Sequence, residues 1–420
     1  MPYISIIADD LTGAADTGAP FARARLVTLI TLVGGPTSHA RHDPQGDVLV
    51  LSTESRHLAR AEAEARVRLA AGRVGKAVWV YKKIDSTLRG HPGPELATLM
   101  DALGPEQALV APAFPAQGRT TVGGQQRVDG LPLEQTPLGR EGASSDLSRL
   151  FGPGPDGVGG SGRPVQLIEL STVRRGPAAV TEMLRALGPA VVIADAETES
   201  DLATLAGAVV QGKVTLVCGS AGLARALART LPLAPTAPRP KPPRGAPGPV
   251  LTVAGSRHPQ TLRQVDVARQ QGVAVVRPDP EFVITDGKAI ERSAQSVVAH
   301  LAAGRDVILT TAGLDEAPMG GQPVAVGLGR IACAVVARTH VGGLVLTGGD
   351  VAAAVCAELG TSALWLMGEV QPGIALSVML GGALPGVPVV TKAGGFGSGD
   401  ALIVAADHAA ARYAARISWR

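Results

Sequence analysis

The sequence predicts an α/β protein of two α/β domains, each with a mostly parallel sheet flanked by helices, joined by a Pro-rich linker. Short apolar runs alternate with Ala/Arg/Glu/Leu-rich segments, which is typical of buried parallel strands and their crossover helices. The chain has 420 residues, more than a single hydrophobic core usually organises. Closely spaced prolines between Leu231 and Val250 divide the pattern into two halves.

The first predicted domain covers residues 1–231, and its strands are predicted from apolar runs. In chain order these runs are YISIIA, LVTLITLV, DVLVLST, AVWVY, ALVAPA, VQLIEL, AVVIAD and VTLVCG. The segment PAFPAQGRTT, residues 112–121, is stiffened by its prolines and is predicted to be a loop. Residues 138–163 are rich in Gly, Ser, Pro and Asp and have little to bury, so we expect a long surface loop there.

The linker is predicted at residues 232–249, because its prolines disfavour helix and sheet interior and favour an extended, semi-rigid connector. The second predicted domain covers residues 250–420. Its predicted strands are VLTVAG, VAVV, DVILTT, GLVLTG, ALWLM and VPVVTK. The two halves share no motif, which indicates that they perform different tasks.

Composition and charge exclude several classes of function. A net charge of +3 is too small for a surface that binds a phosphate backbone, and 3% aromatic residues offer few platforms for base stacking. The three cysteines lack CxxC spacing, so neither a disulfide framework nor a zinc site is predicted. No apolar run approaches the roughly 18 to 20 residues of a membrane span. We therefore expect a cytoplasmic protein without nucleic-acid or membrane partners, and the sequence leaves open whether it forms homo-oligomers.

Acidic and basic residues follow the predicted strands of the first domain. Ligands of open α/β sheets bind outside the carboxyl ends of the strands, so these residues are expected to converge at one edge. Arginine and lysine there could clamp a substrate carboxylate, and an aspartate could orient or deprotonate a hydroxyl. A helix N-cap or a solvated loop is the alternative for each segment. The candidate substrate-binding residues are Asp9, Asp10, Arg56, Lys82, Lys83, Asp85, Arg89 and Arg119, with Asp10 and Asp85 as the candidate catalytic bases.

Glycine and hydroxyl motifs follow the predicted strands of the second domain. Glycine allows backbone N–H groups to approach an anion, and a helix that starts after the loop adds its positive end. Together the motifs predict a nucleotide site, although each alone could be a tight turn. GxxxxGK[ST] is absent, and no GxGxxG follows the first strand, so neither a P-loop nor a dinucleotide site is expected. The candidate nucleotide-binding residues are Ser256, Gly348, Gly349, Asp350, Gly394, Gly395 and Gly397, with Asp350 also the candidate Mg²⁺ ligand.

Six motifs in this order resemble the four-carbon acid sugar kinase family: IADDLTGAADTG, YKKIDSTLRG, PAFPAQGRTTVGG, LTGGDVAAAV, GEVQPGI and VTKAGGFGSGDAL. The resemblance implies an ATP-dependent kinase with an amino-terminal sugar-acid-binding domain and a carboxy-terminal nucleotide-binding domain. It implies that the terminal (4-) hydroxyl of D-threonate or D-erythronate is phosphorylated, with ATP and Mg²⁺ as cofactors. It also implies which residues face the sugar acid, namely Asp10, Arg56, Lys82, Lys83, Asp85 and Arg89, while the glycine motifs face ATP.

Three alternative functions stay open at this point. The chain could be a 3-oxotetronate kinase of the same family, although the opening LTGAADTG is more similar to the threonate and erythronate branch. It could be a ribokinase-like sugar kinase that uses Asp400 of GSGD as its base. It could also be a sensor that binds a sugar acid or nucleotide without turnover. Two departures from the family pattern are Val351 after GGD and the pair His91-Pro92.

Overall fold

The computed structural model describes residues 2–33, 46–139, 144–153, 162–233, 241–278, 287–311 and 321–410. The chain divides into two compact units, Met1–Thr28 with Gln45–Ala237 and Leu29–Pro44 with Pro238–Arg420. Each unit is built on a mostly parallel sheet with flanking helices. The predicted α/β class is therefore confirmed, whereas the predicted domain limits at residues 231 and 250 stay a prediction.

The first 233 residues contain eleven described strands and eight described helices. The strands are β1 (Ile4–Ala8), β2 (Thr28–Leu32), β3 (Val48–Ser52), β4 (Trp79–Lys83), β5 (Gln107–Ala111), β6 (Arg119–Val122), β7 (Gln125–Val128), β8 (Leu131–Pro132), β9 (Val165–Ile168), β10 (Ala190–Ala194) and β11 (Leu216–Gly219). The helices are α1 (Leu11–Arg23), α2 (Arg60–Ala71), α3 (Pro92–Leu103), α4 (Leu147–Phe151), α5 (Leu170–Val173), α6 (Pro177–Leu187), α7 (Glu199–Gly212) and α8 (Ala221–Thr230).

The sheet of the first unit has the order β3-β1-β4-β11-β5-β10-β9. All of its strand pairs are parallel. Its strands are short runs of Val, Ile, Leu and Ala, and β1, β3 and β10 are buried along their whole length. Burial on both faces explains why these runs are continuously apolar in the sequence.

Two segments of the first unit differ from the prediction. The segment that was predicted to be a stiff loop enters the antiparallel sheet β6-β7-β8, where Gly123 and Gly124 turn the chain with positive φ angles of 60° and 70°. The predicted surface loop at 138–163 contains α4, and its Leu147 and Phe151 are buried. That loop prediction was wrong at α4 because two apolar residues at helical spacing were outweighed by polar neighbours. Residues 140–143 and 154–161 lie outside the described residues.

The described part of the second unit after residue 240 contains seven strands and five helices. The strands are β12 (Val250–Ala254), β13 (Ala274–Val276), β14 (Val307–Thr310), β15 (Gly343–Thr347), β16 (Ala363–Gln371), β17 (Ile374–Leu380) and β18 (Pro388–Lys392). The helices are α9 (Pro259–Gln270), α10 (Gly287–Ala302), α11 (Gln322–Val336), α12 (Gly349–Glu358) and α13 (Ala401–Ala409). Residues 241–249 of the Pro-rich stretch form no helix or strand.

The sheet of the second unit has the order β13-β14-β12-β15-β18-β17-β16. It is parallel from β13 to β18, and β17 and β16 add an antiparallel hairpin. The sequence did not predict β17, because its run IALSVML follows a turn that interrupts the β/α alternation. Within the described ranges, no helix has the length and apolar character needed to cross a membrane.

Candidate functional site

The polar residues of the first unit lie at one edge of its sheet. Strand β1 pairs in parallel with β3 and β4, and Ala8 lies opposite both Ser52 and Lys83. The residues that follow these strands therefore leave the sheet at the same level. This register brings the DDLTG segment, the TESR segment and the KKIDSTLRG segment together, as the sequence predicted.

Arg56 binds both aspartates that follow β1. Its Nε and Nη2 donate to Asp9 over 2.7 and 2.8 Å, and its Nη1 and Nη2 donate to Asp10 over 2.7 and 2.7 Å. All three side chains are buried or nearly so. Burial raises the pKa of Asp9, but the Arg56 guanidinium outweighs burial and brings the pKa down to about 2. Arg56 thus offsets the repulsion between the two neighbouring carboxylates, and no ligand is needed for this.

Asp10 also caps helix α1. The Gly13 N–H donates to Asp10 Oδ1 over 2.9 Å, and the Thr12 hydroxyl donates to Asp10 Oδ2 over 2.6 Å. Both carboxylate oxygens therefore accept hydrogen bonds from the helix start and from Arg56. The N-cap interpretation of this residue is correct, and its role as a catalytic base stays a prediction.

Lys82 points into the fold and is engaged in a buried ion pair. Its Nζ lies 2.6 Å from Glu95 Oε2 of α3, and the relative exposure of the Lys82 side chain is 0%. Glu95 Oε1 also accepts a hydrogen bond of 2.6 Å from Ser55 Oγ, and Ser55 Oγ lies 2.7 Å from Thr53 Oγ1. Because its charge is matched by Glu95, the structure indicates that Lys82 holds α3 against the sheet edge. A contact between Lys82 and the sugar acid stays a prediction.

A double substitution separates these two roles of Lys82. We expect Lys82→Met with Glu95→Leu to change the free energy of unfolding by no more than about 2 kcal/mol, because apolar pairs often replace buried ion pairs at little cost. Any turnover should then stay close to that of the parent protein, as measured by steady-state kinetics. The single Glu95→Leu variant is the control and should be clearly less stable than the double variant. Loss of turnover in a stable double variant would show that Lys82 contacts the substrate.

Lys83 is the buried cation of this cluster that has no partner. Its relative exposure is 5%, and its ammonium makes no hydrogen bond or ion pair with the described residues. Its charge nevertheless acts on the buried carboxylates, because it contributes to the low pKa values of Asp9 and Asp85. A Cβ on Gly13 would lie 3.0 Å from Lys83 Nζ and would collide with Asp10 Oδ1. Glycine in DDLTG is therefore required for the ammonium and the helix start to approach each other.

Asp85 lies beside Arg89 in the loop after β4. Arg89 Nε and Nη2 donate to Asp85 over 2.5 and 3.2 Å, and the Thr87 hydroxyl donates over 2.5 Å. Burial raises the pKa of Asp85, but the guanidinium groups of Arg89 and Arg56 outweigh it and hold the pKa well below its usual range. Asp85 is therefore ionised at neutral pH and is suited to accept a hydrogen bond from a hydroxyl.

The β6–β7 hairpin holds Arg119 near this loop. Gln126 Nε2 donates to Ser86 O over 2.7 Å, and Thr121 Oγ1 donates to Gln126 Oε1 over 2.7 Å. Burial lowers the pKa of Arg119, and its charge interacts with Asp85 and Arg89. Its Nε is buried and makes no hydrogen bond with the described residues. Sequence analysis proposed Arg119 but missed Gln126, because the pairing of a hairpin residue with a distant loop is not visible in the sequence.

In the second unit, the three glycine motifs meet at the ends of adjacent strands. Strand β15 pairs in parallel with β12 and β18, so that Thr347 lies opposite both Ala254 and Lys392. A Cβ on Gly348 would lie 3.6 Å from the Ser256 nitrogen, and one on Gly394 would collide with Ser256 Oγ. A Cβ on Gly395 would lie 3.0 Å from His258 Nε2. The backbone at these glycines therefore lies close to Ser256 and His258, and any side chain in place of a glycine would occupy the space between them.

Helix α12 starts at this cradle. Gly348 is its N-cap and supplies no side-chain hydrogen bond, and Gly349 and Asp350 form its first turn. The described residues contain no cluster of three or more His, Cys, Asp or Glu side chains that could hold a metal ion. Asp350 lies in the first turn of α12, and its role as a Mg²⁺ ligand stays a prediction.

The loop after β18 is fixed by polar side chains of α9. Thr261 Oγ1 donates to Gly394 O over 2.8 Å, Gln260 Nε2 to Gly397 O over 2.8 Å, and Gln264 Nε2 to Ser398 O over 2.8 Å. Sequence analysis missed these side chains and Lys392, which also contacts the loop. Lys392 lies directly between a buried strand and a glycine-rich loop, and this position could have identified it from the sequence.

Both departures from the family motif pattern have packing roles. Val351 is buried, and a Cβ on Gly255 would collide with its Cγ2, so valine fills the space that the glycine leaves. Pro92 starts helix α3, where the missing N–H costs nothing, and the His91 ring nitrogen Nε2 lies 2.8 Å from Leu58 O.

Asp400 precedes α13 and accepts a hydrogen bond of 2.5 Å from Ser398 Oγ.

Comparison with known proteins gives matches over almost the whole chain. Residues 4–227 match a family described as a sugar-binding N-terminal domain, and residues 251–402 match one described as a nucleotide-binding C-terminal domain. A D-threonate kinase of Cupriavidus necator is 39% identical over 94% of this chain and 95% of its own. A D-erythronate kinase of Heliobacterium modesticaldum is 35% identical over 97% of each chain. A 3-oxo-tetronate kinase of Methylobacterium radiotolerans is 32% identical over 94% of this chain and 97% of its own.

Two solved structures have the same fold. A Haemophilus influenzae protein matches with a TM-score of 0.71 and 23% identity, covering 96% of this chain and 98% of its own. A Salmonella typhimurium protein described as a putative tRNA synthase matches with a TM-score of 0.76 and 22% identity over the same shares. At this identity the likeness supports the α/β fold alone.

Proposed function

The chain belongs to the four-carbon acid sugar kinase family, and from this membership we propose that it transfers the γ-phosphate of ATP to the terminal (4-) hydroxyl of D-threonate or D-erythronate. The relatives named D-threonate and D-erythronate kinase are 39% and 35% identical to it, whereas the 3-oxo-tetronate kinase is 32% identical. The family predicted from the motifs is confirmed. The cytoplasmic location expected from the sequence is part of the proposal.

The observation that carries the proposal is the unpartnered ammonium of Lys83. The Lys83 side chain is largely buried and its ammonium makes no hydrogen bond or ion pair with the described residues, so the carboxylate of a ligand is a natural partner for it. The cations around it are already engaged, since Arg56 binds Asp9 and Asp10 and Lys82 binds Glu95. A small acid with a carboxylate and several hydroxyls fits this arrangement, because its carboxylate can pair with Lys83 and its hydroxyls can donate to Asp85.

The first-unit residues would orient the acceptor hydroxyl more than they would activate it. Asp85 is ionised and can accept a hydrogen bond, and its strongly lowered pKa makes it a weak proton acceptor. The transition state of phosphoryl transfer is loose and demands little of a base, and positioning supplies much of the rate. We therefore assign Asp85 to orienting the acceptor hydroxyl, with Arg89 holding the Asp85 carboxylate in place.

The second unit would hold ATP. Its glycine motifs bring backbone N–H groups and the start of α12 to one place, which suits phosphate oxygens. Asp350 would hold Mg²⁺ at the edge of this cradle. Mg²⁺, when bound, would neutralise charge on the ATP phosphates.

A substrate panel tests this proposal. We expect Mg²⁺-ATP-dependent ADP release with D-threonate or D-erythronate, and little with L-threonate or D-ribose. Preference for 3-oxotetronate would assign the chain to the other branch of the family. Turnover with D-ribose alone would favour the Asp400 mechanism, and binding of a tetronate without ADP release would favour the sensor.

A further inference from the structure

Lys392 is a second buried lysine without a carboxylate partner. It ends β18, its relative exposure is 0%, and no carboxylate of the described chain lies within ion-pair distance of it. Its Nζ donates instead to three backbone carbonyls, those of Ala393, Gly394 and Phe396, over 3.0, 3.0 and 3.1 Å. A fourth contact of 3.4 Å reaches Thr261 Oγ1. Lys82 of the first unit is equally buried but is neutralised by Glu95, so the two lysines have different roles.

The three carbonyls that Lys392 binds define the orientation of three peptide groups. In a trans peptide the C=O of one residue and the N–H of the next point in opposite directions. Carbonyls of Ala393, Gly394 and Phe396 that turn toward Lys392 therefore turn the N–H groups of Gly394, Gly395 and Gly397 away from it. In the described chain, these three N–H groups donate to no protein acceptor.

We propose that Lys392 is a positioning residue of the nucleotide site, which turns these three N–H groups outward to form a cradle for an ATP phosphate. The proposal rests on the proposed function, because it assumes that the second unit binds ATP. Side chains of α9 bind carbonyls of the same loop, including that of Gly394 through Thr261 and that of Gly397 through Gln260. The carbonyls of this loop are thus held by the protein, whereas the N–H groups of Gly394, Gly395 and Gly397 are left for an anion. Nests of successive backbone N–H groups are a known way to bind phosphate.

Lys392 also supplies a charge that a phosphate would balance. Burial lowers the pKa of Lys392 to about 8. A nearby anion favours the ammonium, so binding of ATP above pH 8 should be accompanied by uptake of a proton. The affinity for ATP should consequently be highest below pH 8 and should fall as the pH rises above it, by at most about tenfold per pH unit for one proton.

The other titratable groups around the loop after β18 are not expected to change the affinity for ATP near pH 8. His258 is the N-cap of α9, Arg263 lies within that helix, β16 carries Glu369, and Asp400 precedes α13. Burial, Lys392 and Arg263 lower the pKa of His258, so its ring is neutral near pH 8. Its Nδ1 accepts a hydrogen bond of 3.1 Å from the Gln260 N–H. Carboxylic acids and arginines ordinarily titrate far from pH 8.

The test compares Lys392→Met with Lys241→Met, an exposed lysine of the second unit. We measure the Kd of ATP by calorimetry, the KM values of ATP and the sugar acid, and folding by circular dichroism. Lys392→Met should raise the Kd and KM of ATP by roughly 10- to 100-fold, since it removes three charged hydrogen bonds from the loop. The KM of the sugar acid should change less than about twofold, because only local loop geometry is affected. Lys241→Met should change none of these values.

Two results would overturn the proposal. One is a folded Lys392→Met protein that binds ATP as tightly as the parent. The other is a parent protein whose ATP affinity is the same from pH 7 to pH 9.5, a measurement that does not depend on the variant's folding. Failure of the parent protein to bind ATP at any pH would overturn the proposed function as well, so the two failures are distinguishable.

Discussion

Replacing Lys83 with methionine is expected to lower kcat/KM for the sugar acid by roughly 100- to 1,000-fold, the usual cost of removing one partner of a desolvated charge pair, here with the substrate carboxylate. The same substitution should lower the free energy of unfolding by much less than the loss of a buried ion pair does. The reason is that the ammonium makes no hydrogen bond or ion pair with the described residues, so only its longer-range attraction to Asp9 and Asp85 is lost.

Steady-state kinetics and urea unfolding of the same preparations check this prediction. Lys76→Met is the matched control, because Lys76 is an exposed lysine of the same unit and should change neither quantity. The interpretation of Lys83 would be wrong if Lys83→Met kept near-parental turnover. It would also be wrong if the variant were destabilised as strongly as an enzyme that had lost a buried ion pair.

The second large effect is expected for Arg56→Met. This change leaves the buried carboxylates of Asp9 and Asp10 without the guanidinium that binds both. Removing one partner from a buried ion pair commonly costs about 3–5 kcal/mol of stability at neutral pH. Turnover should also fall, because Arg56 no longer holds Asp9 and Asp10 in place, and Asp10 is the N-cap of α1.

The pH dependence of stability should differ in sign between the parent and Arg56→Met. In the parent the pKa of Asp9 is lowered to about 2, so its contribution to stability is complete above about pH 4, the ordinary pKa of an aspartate, and is lost as the pH falls toward 2. In the variant, burial acts on Asp9 without Arg56 and raises its pKa, so Asp9 contributes most below about pH 4 and loses that contribution as the pH rises.

Urea unfolding midpoints at pH 4, 5 and 7 measure this difference. The difference between the urea midpoints of the parent and of Arg56→Met should become smaller as the pH falls from 7 to 4. A gap that is constant, or that widens toward pH 4, would contradict the assignment of Arg56 as the counter-charge of the two aspartates.

The fold and the position of the site were predictable because they depend on local patterns. Continuous apolar runs predicted the parallel strands, and the rule that ligands bind at their carboxyl ends predicted where Asp9, Arg56 and Lys83 would meet. The glycine motifs after β12, β15 and β18 were likewise expected to converge, and the strand order brings them together.

The roles of individual side chains were less predictable because they depend on tertiary partners. Lys82 and Lys83 are adjacent in the sequence, and only the position of Glu95 on α3 shows that one is neutralised and the other is not. Lys392 is an ordinary strand-end lysine in the sequence, and its function follows from the direction of the carbonyls around it. The hairpin β6–β7 was missed because its strands are short and polar.

Detection of the phosphorylated product tests the central claim most directly. Incubation of the purified protein with Mg²⁺-ATP and D-threonate or D-erythronate, followed by ³¹P NMR, should show one new phosphomonoester for each ADP formed, and Lys83→Met should form almost none. ADP accompanied by inorganic phosphate instead of an ester, or no ADP from protein that binds both ATP and the acid, would contradict the assignment of this chain as a sugar-acid kinase.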